Sequence, residues 1–274
     1  MKRLLGLLLA ALFLMGAAAA EDAAAGDGYY DLAQLVSLDA GETAVLLNAS
    51  SWYSGDTVYR AKTQRTLPGS CVLHCVSVML TNARGSAVTA QEVAQANNAG
   101  VKAASWSANV TWSRVEKQFV ALFGSESLVA FDRQLRLEGV ARNERRQRKM
   151  AYIAFLAEQY GRGVGVLVHF NSSGSINGGG RRHGVVVLGY IMRDGRVTDL
   201  LISDSATPAP QGACVRMSRS VVPHSMLGDR GLKNRTPEEA LLLAMDGAVS
   251  CRYLMGEDDP DAQLLVLSAG VERE

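Results

Sequence analysis

The sequence predicts an α+β fold, on three observations. Helix-type apolar spacing and helix caps occupy the first half, and short runs of branched apolar residues separated by turn signals occupy much of the second. No linker-like composition and no internal repeat divides the chain. Helices first and strands later predict helices packed on a mostly antiparallel sheet. With 48% hydrophobic residues, the roughly 250 residues after the start can enclose a sizeable core.

The chain opens MKRLLGLLLAALFLMGAAAAED: a basic pair, a short apolar run and small residues before an acidic step. This pattern predicts a secretory signal peptide over residues 1–20, leaving residues 21–274 as one domain, periplasmic or secreted. The run is too short for a good membrane span and no later segment is long and apolar enough. No membrane partner is therefore expected after signal cleavage.

The segment CVLHCVSVMLTN has the spacing of a buried helix, and Pro68 and Gly69 break the chain just before it. TAQEVAQANNAG starts with the capping box Thr89-x-x-Glu92 and ends at Gly100, which predicts a short helix. Residues 113–123 and a basic stretch around 132–160 also read as helical, with RNERRQRK at 142–149 as a solvated helix face. The strands follow: VGVLVHF, HGVVVLGYI, RVTDLLIS and, near the end, AQLLVLS. Between the last two, TPEEALLLAM predicts a helix with Thr236 as cap, Pro237 in its first turn and Glu239 completing a box.

A net charge of +1 points to no nucleic-acid partner. Four cysteines in an oxidising compartment raise the question of disulfides. Cys71 and Cys75 would stand one helical turn apart with parallel side chains, a poor geometry for a bond, so Cys214 and Cys251 are the expected pair. The C-x-x-H-C cluster lacks a second short ligand pair, so no metal site and no cofactor is expected. NGGGRR lacks the Gly-Lys-Ser/Thr ending of a phosphate loop.

Two thiols near one helix start need an explanation. A cysteine becomes a nucleophile when its thiolate is stabilised, and a helix N-terminus beside a histidine does that. Cys71 fits this position, whereas Cys75, a turn further in, should pack in the core. Among the histidines, His74 is badly placed to face the sulfur, His169 sits inside an apolar strand and His224 follows Pro223 in an irregular region. His183 begins a strand after a Gly-rich loop and is the expected base. Asp204, at the end of the next strand, is placed to hold its second nitrogen; Asp199 lies mid-strand and suits a surface role better. Gln64, seven residues before Cys71, could donate its amide to a developing oxyanion beside the Cys71 N–H.

This order of Gln, Cys, His and Asp resembles that of papain-like thiol enzymes, and within them the phytochelatin synthases, especially short exported bacterial forms. TQRTLPGSCVLHCVSVMLTN resembles the family's nucleophile motif, VLVHFNSSGSINGGGRRHGVVVLGY its histidine motif and LLISDSA its aspartate motif, while SLDAGETAVLLNAS resembles its opening segment. The resemblance implies a papain-like fold, with Cys71 as nucleophile, His183 as base, Asp204 as orienting acid and Gln64 as oxyanion donor. It implies thioester chemistry on glutathione or a related γ-glutamyl peptide, free or as a metal thiolate. The chain departs from the family at Val72, where the family has Gly, and lacks its R-x-K-Y-P-P stretch after the aspartate. Two alternatives stay open: a C39-type cysteine peptidase acting on ordinary peptides, and a non-catalytic binding protein with the same fold.

Overall fold

The long strand β6 (Arg182–Arg193) organises the molecule because nearly all of it is apolar, as a strand covered on both faces must be. The structure is a computed structural model; it describes residues 28–47, 51–54, 71–84, 88–102, 105, 112–123, 129–160, 166–171, 182–207, 210–220, 235–246, 248–255 and 264–269. The expected signal peptide, Gln64, the Pro68-Gly69 break and His224 lie outside the described residues.

In chain order the elements are β1 (Tyr29–Tyr30), α1 (Leu32–Leu35), β2 (Glu42–Leu47), β3 (Trp52–Tyr53), α2 (Cys71–Arg84), α3 (Ala90–Asn97) and α4 (Trp112–Phe123). Then come β4 (Val129–Leu135), α5 (Arg142–Tyr160), β5 (Val166–Asn171), β6, β7 (Arg196–Ser203), β8 (Val215–Arg216), α6 (Pro237–Ala244), β9 (Ala248–Met255) and β10 (Leu264–Ser268). The chain is α+β, and every strand pairing is antiparallel.

Among the described residues, eight strands form one sheet in the order β10-β2-β6-β5-β9-β4, with β7 on the other edge of β6 and β8 beyond it. The first half of β6 pairs with β5 and its second half with β2, so one edge serves two partners in succession. Gly189 lies in the β2-paired stretch, opposite Leu46, where a Cβ would stand 2.3 Å from the Val45 carbonyl oxygen. Only glycine permits that approach. The turn from β6 into β7 is made by Asp194 and Gly195, both at positive φ.

The core lies between this sheet and the helices. Cys75, Val78 and Met79 of α2, Ile153 and Leu156 of α5, and Leu241 of α6 meet Val185 to Leu188 of β6 and Leu200 to Ile202 of β7. Each fully buried Leu, Ile or Val adds about 1.5–3 kcal/mol. The Asn82 side chain ties α2 to β3, accepting from the Tyr53 N–H at 2.9 Å and donating to the Tyr53 carbonyl at 2.8 Å. Both expected capping boxes are present, at Thr89 with Glu92 and at Thr236 with Glu239, the latter with Pro237 in the first turn.

Three expectations are corrected. Residues 132–135, read as the start of the long basic helix, belong to strand β4, because they pair in register with β9, and a turn with Gly139 at φ 69° delays helix α5 until Arg142. The sheet also draws β2 and β4 from the half read as helical. Lys149 is buried against Asp246 rather than part of a solvated face, while Arg146 reaches Glu238 at the surface.

Candidate active site

Two chain segments carry the site. Helix α2 places Cys71 at its start, with Leu73 and Cys75 turned into the core. Strands β6 and β7 run side by side with Val186 opposite Ser203, so the beginning of β6 and the residue after β7 meet at one sheet end. That end carries His183 and Asp204.

His183 Nε2 lies 2.7 Å from Asp204 Oδ1. His183 is also hydrogen-bonded to the Cys71 side chain. The structure thus brings Cys71, His183 and Asp204 into one hydrogen-bonded row. Asp204 is fully buried, while Cys71 and His183 each keep 7% exposure, so the carboxylate is the most enclosed member of the row.

The Asp204 carboxylate is firmly held. Its Oδ1 also accepts from the Ala206 N–H at 2.9 Å, and its Oδ2 accepts from the Thr207 hydroxyl at 2.9 Å. Its backbone N–H donates to the Gly212 carbonyl at 2.8 Å, which fixes the turn leaving β7.

Charge in the row follows from these contacts. Burial pushes the Cys71 thiol up, but the hydrogen bond and charge of His183 and the N–H groups of Gly184 and Val72 outweigh it and hold it below the usual thiol value. Burial pushes His183 down, but Asp204 and Cys71 outweigh it and raise the imidazolium to about 10. For Asp204, burial is again opposed by His183, the Ala206 N–H and Thr207, and its carboxyl stays below the usual range. All three directions favour the thiolate–imidazolium form of the pair over the neutral thiol and imidazole.

The other sequence candidates are placed elsewhere. His74 is buried and, with Ser54, Cys75, Val78, Val186, Ser203 and Ser205, lines a void of about 10 Å³, room for about one water. His169 sits on β5 opposite Gly184 and Ser250. Gln64 falls outside the described residues, so the oxyanion donor set is described only on the Cys71 side.

Asp199 is not a surface residue. It is fully buried and accepts from Arg216 Nε at 3.0 Å and from the Ser218 N–H at 3.1 Å, while Arg216 holds Glu42 in a two-pronged pair at 2.8 and 2.9 Å. The strand register explains the correction: Asp199 lies midway along β7, opposite Ile191 of β6, which in turn faces Ala44 of β2, and β8 pairs with β7 two residues further on.

The expected Cys214–Cys251 disulfide is also corrected, because Cys214 is a free, buried thiol, pushed up to about 12 by burial. Cys214 precedes β8, whereas Cys251 lies on β9, four strand spacings away across β7, β6 and β5. Four spacings span roughly 19 Å, well beyond the roughly 7 Å that a disulfide allows between Cα atoms.

Arg216 and Glu42 carried no local signal, since their pairing depends on strands far apart in sequence. Thr207 had one: D-x-x-T at a strand end is the spacing of a side-chain-stabilised turn. Among the described residues, no group of three or more His, Cys, Asp or Glu is arranged to hold a metal ion.

Comparison with known proteins gives no relative: no family model, no curated protein and no solved structure matches the chain.

Proposed function

We propose that the protein is an exported thiol hydrolase of papain-like architecture that cleaves glycine from glutathione or a related γ-glutamyl peptide through a thioester on Cys71. The observation that carries the reading is the hydrogen-bonded row from Cys71 through His183 to the buried Asp204. The substrate class rests on the resemblance to phytochelatin synthases. Export rests on the leader-like start alone, since Cys214 stands free.

The chemistry follows from the charge distribution. The Cys71 thiolate attacks the carbonyl carbon of the cysteinyl-glycine bond, and the negative charge moves to the carbonyl oxygen beside the Cys71 N–H. As the C–N bond breaks, the His183 imidazolium delivers a proton to the leaving glycine nitrogen. A γ-glutamylcysteinyl thioester remains. Water then attacks the thioester, giving its proton to His183 and releasing γ-glutamylcysteine and the thiolate. Asp204 keeps the ring oriented and its cationic form stable throughout.

The test is product analysis of the mature protein with glutathione and, separately, with a mixed peptide library. Glycine release from glutathione, lost in Cys71→Ala and kept in Cys75→Ser, is expected, with little polymer even when cadmium or zinc is added. Cleavage of ordinary peptides without glycine release would move the protein to the C39-type reading. An unreactive Cys71 would make it a binding protein.

A further inference from the structure

We propose that Thr207 is a positioning residue of the site, its hydroxyl locking the Asp204 carboxylate so that Oδ1 stays on His183 Nε2. This deepens the triad reading above and rests on it. A carboxylate can turn about its last side-chain bond, and a carboxylate that is fully buried has no water to choose its orientation. Asp204 is restrained on both oxygens instead. Oδ1 receives the His183 ring at 2.7 Å and the Ala206 N–H at 2.9 Å, and Oδ2 receives the Thr207 hydroxyl at 2.9 Å.

The turn makes this arrangement local. The Thr207 N–H donates to the Asp204 carbonyl at 3.2 Å, folding residues 204–207 back so that the side chain at 207 returns beside the carboxylate it supports. The Gly212 carbonyl anchors the other side through the Asp204 N–H at 2.8 Å. Valine at 207 would keep the shape and lose the donor, whereas serine would keep the donor and lose a methyl group.

Among the described residues, the charged groups placed against Asp204 are His183 from β6 and, behind it, Cys71 from α2, and its neutral donors include the Ala206 N–H and the Thr207 hydroxyl. Removing the Thr207 donor destabilises the ionised carboxylate, so Asp204 takes up a proton at a higher pH. The imidazolium then loses its partner at a higher pH, and the Cys71 thiolate with it.

The experiment follows alkylation of Cys71 against pH, read by mass analysis of its peptide, in the full protein and in Thr207→Val, Thr207→Ala and Thr207→Ser. The acid limb is expected to move up by about half a pH unit or more in Val and Ala and to stay near the parent in Ser, with the rate at neutral pH falling severalfold in the first two. Val and Ala variants that titrate like the parent would overturn the proposal. So would a Ser variant as impaired as Val, because the effect would then belong to packing. If Val does not fold, the Ala and Ser pair decides alone. An ordinary thiol titration in the unsubstituted protein is a separate result, since it removes the triad itself.

Discussion

At the residue scale the site is a balance of protons shared by Cys71 and His183, and that balance has a measurable stability signature. With its value raised to about 10, the folded His183 keeps its proton through the neutral range, and the lowered Cys71 thiol gives its own up at a lower pH than a free thiol would. The unfolded pair holds two protons below about 6.5, one between about 6.5 and 9, and none above. Stability rises with pH wherever the unfolded chain binds more protons and falls where it binds fewer. The two shifts act with opposite sign: the raised His183 adds stability that is present below about 6.5 and lost as pH climbs toward 10, and the lowered Cys71 offsets part of that loss below about 9. In Cys71→Ala only His183 remains; its raised value stabilises fully below about 6.5, and the benefit declines from there upward. Melting temperatures of the two proteins from pH 5 to 10 check this: a steeper fall between about 6.5 and 9 is expected in Cys71→Ala, and an equally steep fall in both proteins would refute the coupling. The row itself was legible in the sequence, because a helix start and two strand ends are local features that place Cys71, His183 and Asp204. Their supports were not: the N–H of Gly184 and the Arg216 network owe their positions to strand register.

At the element scale, β7 carries two buried carboxylates with different duties, one midway along it and one just past its end. Asp204 faces the site, and Asp199 ties the middle of the strand to β2 and β8 through Arg216 and Glu42. Burying one cation between two carboxylates contributes little net stability, but removing the cation alone takes the ion partner from buried Asp199 and leaves Glu42 with the half-exposed Arg193. Arg216→Met is expected to cost about 3–5 kcal/mol at neutral pH. In the parent, Glu42 is held below its usual range against the effect of burial, chiefly by Arg216, so its contribution is present above about 4.5 and fades as pH falls through the lower folded value. In the variant both carboxylates take up protons readily, so the gap between the two proteins should narrow on acidification to about pH 4–5. Denaturant melts at both pH values decide it; an equal gap at both would show that Arg216 acts by packing. This network also marks what the sequence could not disclose. The capping boxes at Thr89 and Thr236 are written in four consecutive residues, but Val129 to Leu135 is strand only because β9, over a hundred residues later, lies beside it.

At the scale of the whole molecule, the sheet order decides which thiols the solvent can find. Cys71, Cys75 and Cys214 are buried to similar degrees, at 7%, 3% and 4% exposure, so accessibility alone would predict similar reactivity. Their charge states separate them. Cys71 is held below the usual thiol value by His183, Cys75 packs in the core one turn below, and Cys214 is pushed up to about 12 by burial. A pulse of iodoacetamide at neutral pH should therefore mark Cys71 in the native protein and leave Cys75 and Cys214 until global unfolding exposes them. The same labelling reads the topology. Four strand spacings separate the start of β8 from β9, so Cys214 should become reactive in denaturant alone, and a reductant should leave the melting temperature unchanged. Labelling of Cys214 only after reduction would require a partner within reach of its sulfur, which this strand order does not allow. That outcome would undo the placement of β7 and β8 beside β6, and with it the meeting of His183 and Asp204 on which the site depends.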